Sequence, residues 1–235
     1  QKQIRNMLKA VEGNIIYSPM LLCSIYGLRR SEVLGIKWES IDFENNTVHI
    51  CETLQQCTKE LTGKSNYTDD TKNASSNRTM PLIPLIKEKL LVQKQWQIEN
   101  KEEFGELYSD SDFVFTHKNG SVITPNYLTK NFRKVADSLG YYGLRLHDLR
   151  HSVASNLLNK GFSYVQTAEW LGHSNPSTTF RFYAHVDKTS KMAIASDYEK
   201  IFEEEKSEKV VEKSSKIVEV DFKQNYISKK RKPKK

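Results

Sequence analysis

Apolar residues recur at helical spacing over much of this chain, and glycines punctuate the pattern. Ile4, Leu8 and Val11 fall at i, i+4 and i+7 over residues 2–12, which predicts an amphipathic helix closed near Gly13. Residues 14–26 are apolar on most sides and predict a buried helix, with Pro19 near its first turn and Gly27 at its end. The stretch Leu28–Trp38 follows, within which Ser31 can cap a short second helix.

Ile41–Phe43 and Thr47–Ile50 flank Glu44-Asn45-Asn46, a β-hairpin signal. The polar stretch 55–77 reads as a connection, after which Arg78–Leu82 can pair back as a strand. Residues 82–101 predict a helix with Leu85, Ile86, Leu90 and Leu91 near its start. Phe113–Thr116 and Ser121–Ile123 around Lys118-Asn119-Gly120 predict a second small hairpin. Thr124 as N-cap and Pro125 at the first position open a helix to about Ser138, its apolar face made by Tyr127, Leu128, Phe132 and Val135. Further helices are expected over His147–Lys160, where Leu149, Val153, Leu157 and Leu158 can serve the core, and over Tyr164–Leu171 and residues 188–205. Mostly helix with small antiparallel hairpins is an α+β class.

Composition narrows what such a fold can be for. The 235 residues carry a formal net charge of +7, with a pI near 9.1, which favours a polyanionic partner such as nucleic acid or an acidic membrane surface. Three cysteines (Cys23, Cys51 and Cys57) without Cys-x-x-Cys spacing argue against a disulfide framework or a zinc ribbon. No apolar run reaches the roughly 18 residues of a membrane span, and no signal-peptide pattern opens the chain. After Ser207 the composition turns to alternating Lys and Glu and ends in Lys229-Lys-Arg-Lys-Pro-Lys-Lys, a basic tail.

Candidate chemistry concentrates in a few places. His147 and Arg150 share one helical face, since i and i+3 are neighbours on a 3.6-residue period. Arg29 stands at a helix–turn–helix corner inside apolar sequence, with Glu32 three residues on; an ion pair between them and a functional guanidinium are both open readings. Arg29, Lys72, His147, Arg150, His173 and Tyr183 together hold five cationic or imidazole groups, one phenol, and no carboxylate cluster for a metal. Two guanidiniums can clamp a phosphate's non-bridging oxygens, the charge-neutralising task often given to metal ions. A phenol of reference pKa near 10 is only about 0.1% ionised at pH 7, so Tyr183 as nucleophile needs the base or positive pocket this set offers.

Four segments resemble the boxes of the tyrosine recombinases, the phage-integrase family. Tyr26-Gly27-Leu28-Arg29-Arg30-Ser31-Glu32 resembles the first arginine box, and Leu146-His147-Asp148-Leu149-Arg150-His151 the His-x-x-Arg box. Leu171-Gly172-His173-Ser174, with Thr178-Thr179 and Tyr183 ten residues after His173, resembles the C-terminal box. Lys72, six residues before Arg78, resembles the Lys-(x)5-Arg pattern of the family's β-hairpin, in a loop that also holds Lys59 and Lys64.

The resemblance implies a tyrosine-recombinase catalytic domain over residues 1–205 and a C-terminal segment with a basic tail over 206–235. Tyr183 would attack a DNA phosphate and form a 3′-phosphotyrosyl link. Arg29 and Arg150 would clamp the phosphate, His147 and His173 would assist, Lys72 would protonate the leaving 5′-oxygen, and Glu32 would orient Arg29. No cofactor and no metal are implied.

The implied partners are double-stranded DNA at attachment sites, a homotetramer on paired sites, and accessory DNA-bending or excision factors, with no membrane. Action at the nucleoid of a bacterial cytoplasm follows, in integration or excision of a phage or mobile element. Core-binding and arm-binding domains are expected upstream of Gln1. Residues 206–226 are candidates for exchange between neighbouring subunits.

Three other readings compete. Gly161–Tyr183 also reads like the helix-turn-helix of a non-catalytic DNA-binding protein, although that leaves Arg29, His147 and Arg150 without a role. His147 and His151 at i, i+4 suggest a metal site, but the Glu of His-Glu-x-x-His is missing. A type IB topoisomerase would use the same chemistry to relax DNA.

Overall fold

The structure is a computed structural model that describes residues 2–56, 66–70 and 77–173. Lys72 and Tyr183, residues 188–205 and the tail 206–235 lie outside the described residues. Among the described residues no helix is long and apolar enough to cross a membrane.

Glycine and proline punctuation is obeyed closely. Helix α1 (Lys2–Ala10) is followed by α2 (Tyr17–Tyr26), which stops where Gly27 turns left-handed at φ 66° and returns its N–H to the Cys23 carbonyl. The short α3 (Arg30–Leu34) begins one residue before the expected cap: Arg29 occupies the N-cap position and Ser31 lies inside the first turn. The Glu32 carboxylate takes the capping task from the opposite side, accepting the Arg29 backbone N–H at 3.0 Å.

Strands β1 (Ile41–Asp42) and β2 (Thr47–Ile50) form the expected antiparallel hairpin, with Asp42 Oδ1 accepting the N–H groups of Glu44 and Asn45 in the turn. In β2 Val48 and Ile50 are buried while His49 faces out, the alternation of a half-buried strand. Two further strands, β3 (Glu52–Gln56) and β4 (Asn66–Asp70), pair antiparallel as a separate two-stranded ribbon, so the polar stretch is partly strand rather than only a connection. Its Thr, Asn and Asp residues lack the apolar alternation that announces a strand, and cross-strand hydrogen bonding supplies the order. β5 (Arg78–Pro81) pairs back onto β2 with Ile50 opposite Arg78, completing a sheet of order β1-β2-β5.

Helix α4 (Pro84–Phe104) starts two residues later and ends three later than expected. Ile86 and Leu90 turn into the core, whereas Leu85 and Leu91 face solvent. The second hairpin is not a ladder. Its segments meet only at an isolated Thr116–Val122 bridge, because other groups take the backbone partners. The Gln97 side-chain amide donates to the Phe113 and Val114 carbonyls at 3.1 Å each, and the Val114 N–H bonds the Ile36 carbonyl at 3.0 Å.

Helix α5 (Pro125–Ser138) opens as expected, with Thr124 Oγ1 accepting the Tyr127 N–H. Helices α6 (Leu146–Asn159) and α7 (Tyr164–Leu171) close the described part. Leu149 and Val153 of α6 are buried, while Leu157 and Leu158 are half-buried. Tyr26, Phe115, Phe132, Ile86 and Leu90 are among the core's largest fully buried side chains. The Tyr26 hydroxyl bonds the Pro81 carbonyl at 2.7 Å and so ties α2 to the sheet.

Candidate active site

Glu32 is the buried pivot. Its side chain is 1% exposed, and its oxygens accept from the Arg29 guanidinium and, at 3.2 Å, from Nη2 of Arg78. Burial alone would raise this carboxyl, but the Arg78 and Arg29 guanidiniums and the Arg29 N–H outweigh it and hold the group below the usual carboxylate range. The local i, i+3 spacing therefore gives the Arg29–Glu32 ion pair. A pair does not leave Arg29 fully engaged, however, since its side chain remains 37% exposed.

Arg150 reaches the same place from α6. It is 3% exposed, and Nη1 donates to the Gly27 carbonyl at 2.7 Å. Nη2 is buried with no hydrogen-bond partner among the described residues. Burial, then the neighbouring Arg29 charge, lowers its guanidinium to about 9, so Arg150 is still a cation at neutral pH. A buried N–H of a charged group without an acceptor is costly unless an anion fills the place.

Gly27 makes this approach possible in two ways. Its left-handed backbone points the carbonyl toward Arg150, and a Cβ there would stand 2.4 Å from Leu171 Cδ2 and 3.5 Å from Val153 Cβ.

Two imidazoles border the guanidiniums. His147, one turn before Arg150, packs edge to face on His151 with ring centroids 4.9 Å apart. Burial, followed by the His151, Arg150 and Arg29 charges, lowers its pKa. His173 follows Gly172, which closes α7 in the left-handed conformation at φ 70°, and its backbone N–H returns to the Ala168 carbonyl at 2.9 Å. Burial first, then Arg150, Arg29 and Arg78, pushes His173 down to about 4. Both rings are thus largely neutral at pH 7 and able to donate or accept a proton. Arg29 Nη2 also contacts the Gly172 carbonyl at 3.4 Å, so the first and last boxes meet directly.

Arg29, Glu32, His147, Arg150 and His173 are therefore brought together from three helices and their ends, α3, α6 and α7. Lys72 and Tyr183 fall outside the described residues. Arg78 belongs to the cluster but stands in the sequence reading only as a strand residue and spacing marker. It joins β5 to α7 through Nε to the Trp170 carbonyl at 3.2 Å, as well as neutralising Glu32. The available signal was charge balance: a carboxylate in a run as apolar as Glu32-Val-Leu needs more than one half-exposed arginine.

The phage integrase family profile matches residues 1–190 of the chain. A XerC-like tyrosine recombinase of Caldanaerobacter subterraneus is 31% identical over 211 residues, covering 83% of this chain and 53% of that protein. The integrase of Staphylococcus phage L54a is 26% identical over 181 residues, covering 76% and 50%. Among solved structures, the Tn1549 transposon integrase in complex with a circular intermediate DNA shares the fold with a TM-score of 0.67 at 22% identity, over 82% of this chain and 62% of that one. The chain spans about half the length of the curated relatives it matches. It shares the fold of that solved integrase, and by its sequence profile it belongs to the phage integrase family.

Proposed function

We propose that this chain is the catalytic part of a site-specific DNA recombinase that cleaves and rejoins strands through a 3′-phosphotyrosyl intermediate. The observation that carries the reading is the Arg150 guanidinium, with one nitrogen fixed on the Gly27 carbonyl and another buried and without an acceptor among the described residues. Arg29, His147 and His173 lie within its field, which makes an anion pocket rich in donors.

Arg29 and Arg150 clamp the scissile phosphate and offset charge as it grows on the non-bridging oxygens. The Tyr183 oxygen forms a bond to phosphorus, the bond to the 5′-oxygen breaks, and Lys72 gives that oxygen its proton. The neutral imidazoles of His147 and His173 hydrogen-bond the phosphate and help take the phenol proton. One phosphodiester is exchanged for another of similar energy, so rejoining runs the same steps backwards. Glu32 orients Arg29.

Residues 1–205 form the catalytic domain and 206–235 an appended segment with a basic tail. The substrate is double-stranded DNA at paired attachment sites of a phage or other mobile element, held by a homotetramer, with DNA-bending or excision factors assisting at the bacterial nucleoid. Family membership and relatives named as recombinases and integrases support this reading.

The test is a nicked suicide substrate offered to the full-length protein. A denaturation-resistant protein–DNA adduct is expected, lost in Tyr183→Phe while DNA binding persists. Failure of the full-length protein to form an adduct on any attachment site of its element overturns the reading. Relaxation of supercoils without strand exchange between two sites would point to a topoisomerase instead.

A further inference from the structure

A polymer substrate raises a question that one phosphate pocket leaves open. The reactive phosphate has charged neighbours along its strand, and those must lie somewhere continuous with Arg29 and His147.

A groove on the described surface meets this condition. It has a volume of about 390 Å³ and is lined by Leu28, Arg29, Arg30, Ser31, Thr129, Arg145, Leu146 and His147. Arg29 and His147 belong to both the groove and the cluster around Arg150, so the groove opens at the edge of that cluster. Three guanidiniums, one imidazole and two hydroxyls line it, with no carboxylate among the lining residues.

The donors are held in place. Arg30 is exposed, and its Nη1 donates to Thr129 Oγ1 at 3.2 Å, while Thr129 donates to the Pro125 carbonyl at 2.9 Å. Arg145, on the other wall, is steadied by Asp148, which accepts from its Nη2 at 2.9 Å. That carboxylate cancels much of the Arg145 charge, whereas no carboxylate pairs with Arg30 among the described residues. Arg30 is therefore the uncompensated cation of the groove.

We infer that this groove is a second phosphate subsite, in which Arg30, supported by Thr129 and Ser31, takes a backbone phosphate of the DNA strand next to the one held by Arg29 and Arg150. The inference rests on the proposed DNA-strand chemistry and extends it to the neighbouring nucleotide. The contact carries no base information, because phosphate is the same at every step. Its work is to fix the register of the strand, so that one phosphate and not the next meets the reactive cluster.

The test measures binding of the full-length protein to a short labelled duplex of arbitrary sequence as a function of salt. Each phosphate contact contributes nearly one unit to the slope of log affinity against log salt. Arg30→Ala is expected to lower that slope by about one, and Arg30→Lys to restore most of it. Lys101→Ala is the control, since Lys101 is an exposed cation outside the groove that already bonds Asp110; its slope should stay at the wild-type value. In the suicide-substrate assay Arg30→Ala should also spread cleavage to adjacent phosphates or reduce adduct yield.

An unchanged slope for Arg30→Ala, or an equal loss for Lys101→Ala, overturns the subsite. The adduct formed by wild-type protein separates this failure from failure of the recombinase reading: adduct with an unchanged Arg30→Ala slope removes only the groove, and no adduct removes the reading beneath it.

Discussion

Arg150 Nη1 donates to the Gly27 carbonyl oxygen at 2.7 Å, a bond between residues 123 positions apart. One arm of the guanidinium is thereby spent on the backbone, and the geometry of the other arm is set by it. A lysine has a single ammonium and cannot hold the carbonyl and reach an anion with the same fixed fork. Arg150→Lys is expected to reduce adduct formation by 100-fold or more, on the order of 3 kcal/mol of transition-state stabilisation, while DNA binding falls far less. Rates of single-turnover cleavage check this. A variant that cleaves at near the wild-type rate would remove Arg150 from the clamp.

Gly27→Ala disturbs the same bond from the other end. The φ of 66° is unfavourable for alanine, and the new methyl would meet Leu171 Cδ2 at 2.4 Å. A cost of about 1–3 kcal/mol is expected from the backbone conformation and the forced shift of Leu171. Urea denaturation measures it. A stability equal to wild type would show that α2 and α7 yield to the methyl without strain.

Arg78 lies outside the reacting set, yet its loss is expected to be severe. Arg78→Met leaves Glu32, 1% exposed, with only one guanidinium. A buried ion pair broken on one side costs about 3–5 kcal/mol. The double variant Arg78→Met/Glu32→Gln should recover a good part of that loss, because no unbalanced carboxylate then remains buried. Chemical denaturation of both variants tests the coupling, and simple additivity of the two changes would refute it.

Stability should fall on the acid side through His173. Burial and the Arg150, Arg29 and Arg78 charges hold this imidazole at about 4, against 6.5 for the ordinary group. Between those values the unfolded chain binds a proton that the folded site refuses, so stability is lost as pH falls from 6.5 towards 4. Above that window neither state is protonated there and the contribution is constant. His147 is shifted in the same direction and adds to the effect. Melting temperatures across the window should drop less steeply in His173→Gln. Inorganic phosphate should flatten the wild-type curve, because a bound anion favours the imidazolium. Identical curves for variant and wild type would contradict the assignment.

Much of this fold is written locally. Helix α2 stops at Gly27 and α5 starts at Thr124-Pro125 because a left-handed turn and a proline at the first helical position are properties of single residues. Two expectations changed for different reasons: within α3 itself Glu32 rather than Ser31 satisfies the N-terminal N–H, a local competition, whereas a distant side chain, Gln97, takes the backbone carbonyls that a second hairpin would have paired. The ribbon β3–β4 is not legible in the sequence because its polar residues carry no periodic signal, and its order comes from pairing across strands.

The candidate site divides along the same line. Arg29 with Glu32 and His147 with Arg150 are three residues apart, and helical geometry alone puts each pair on one face. Tertiary packing decided what those pairs meet. Arg150 is anchored on Gly27, Arg29 reaches Gly172 across 143 residues, and Arg78 shares Glu32 from 46 residues away. Periodicity records which face a side chain occupies. It does not record which distant carbonyl or carboxylate that face will be pressed against, because that choice is made when the helices pack and the buried charges must be balanced.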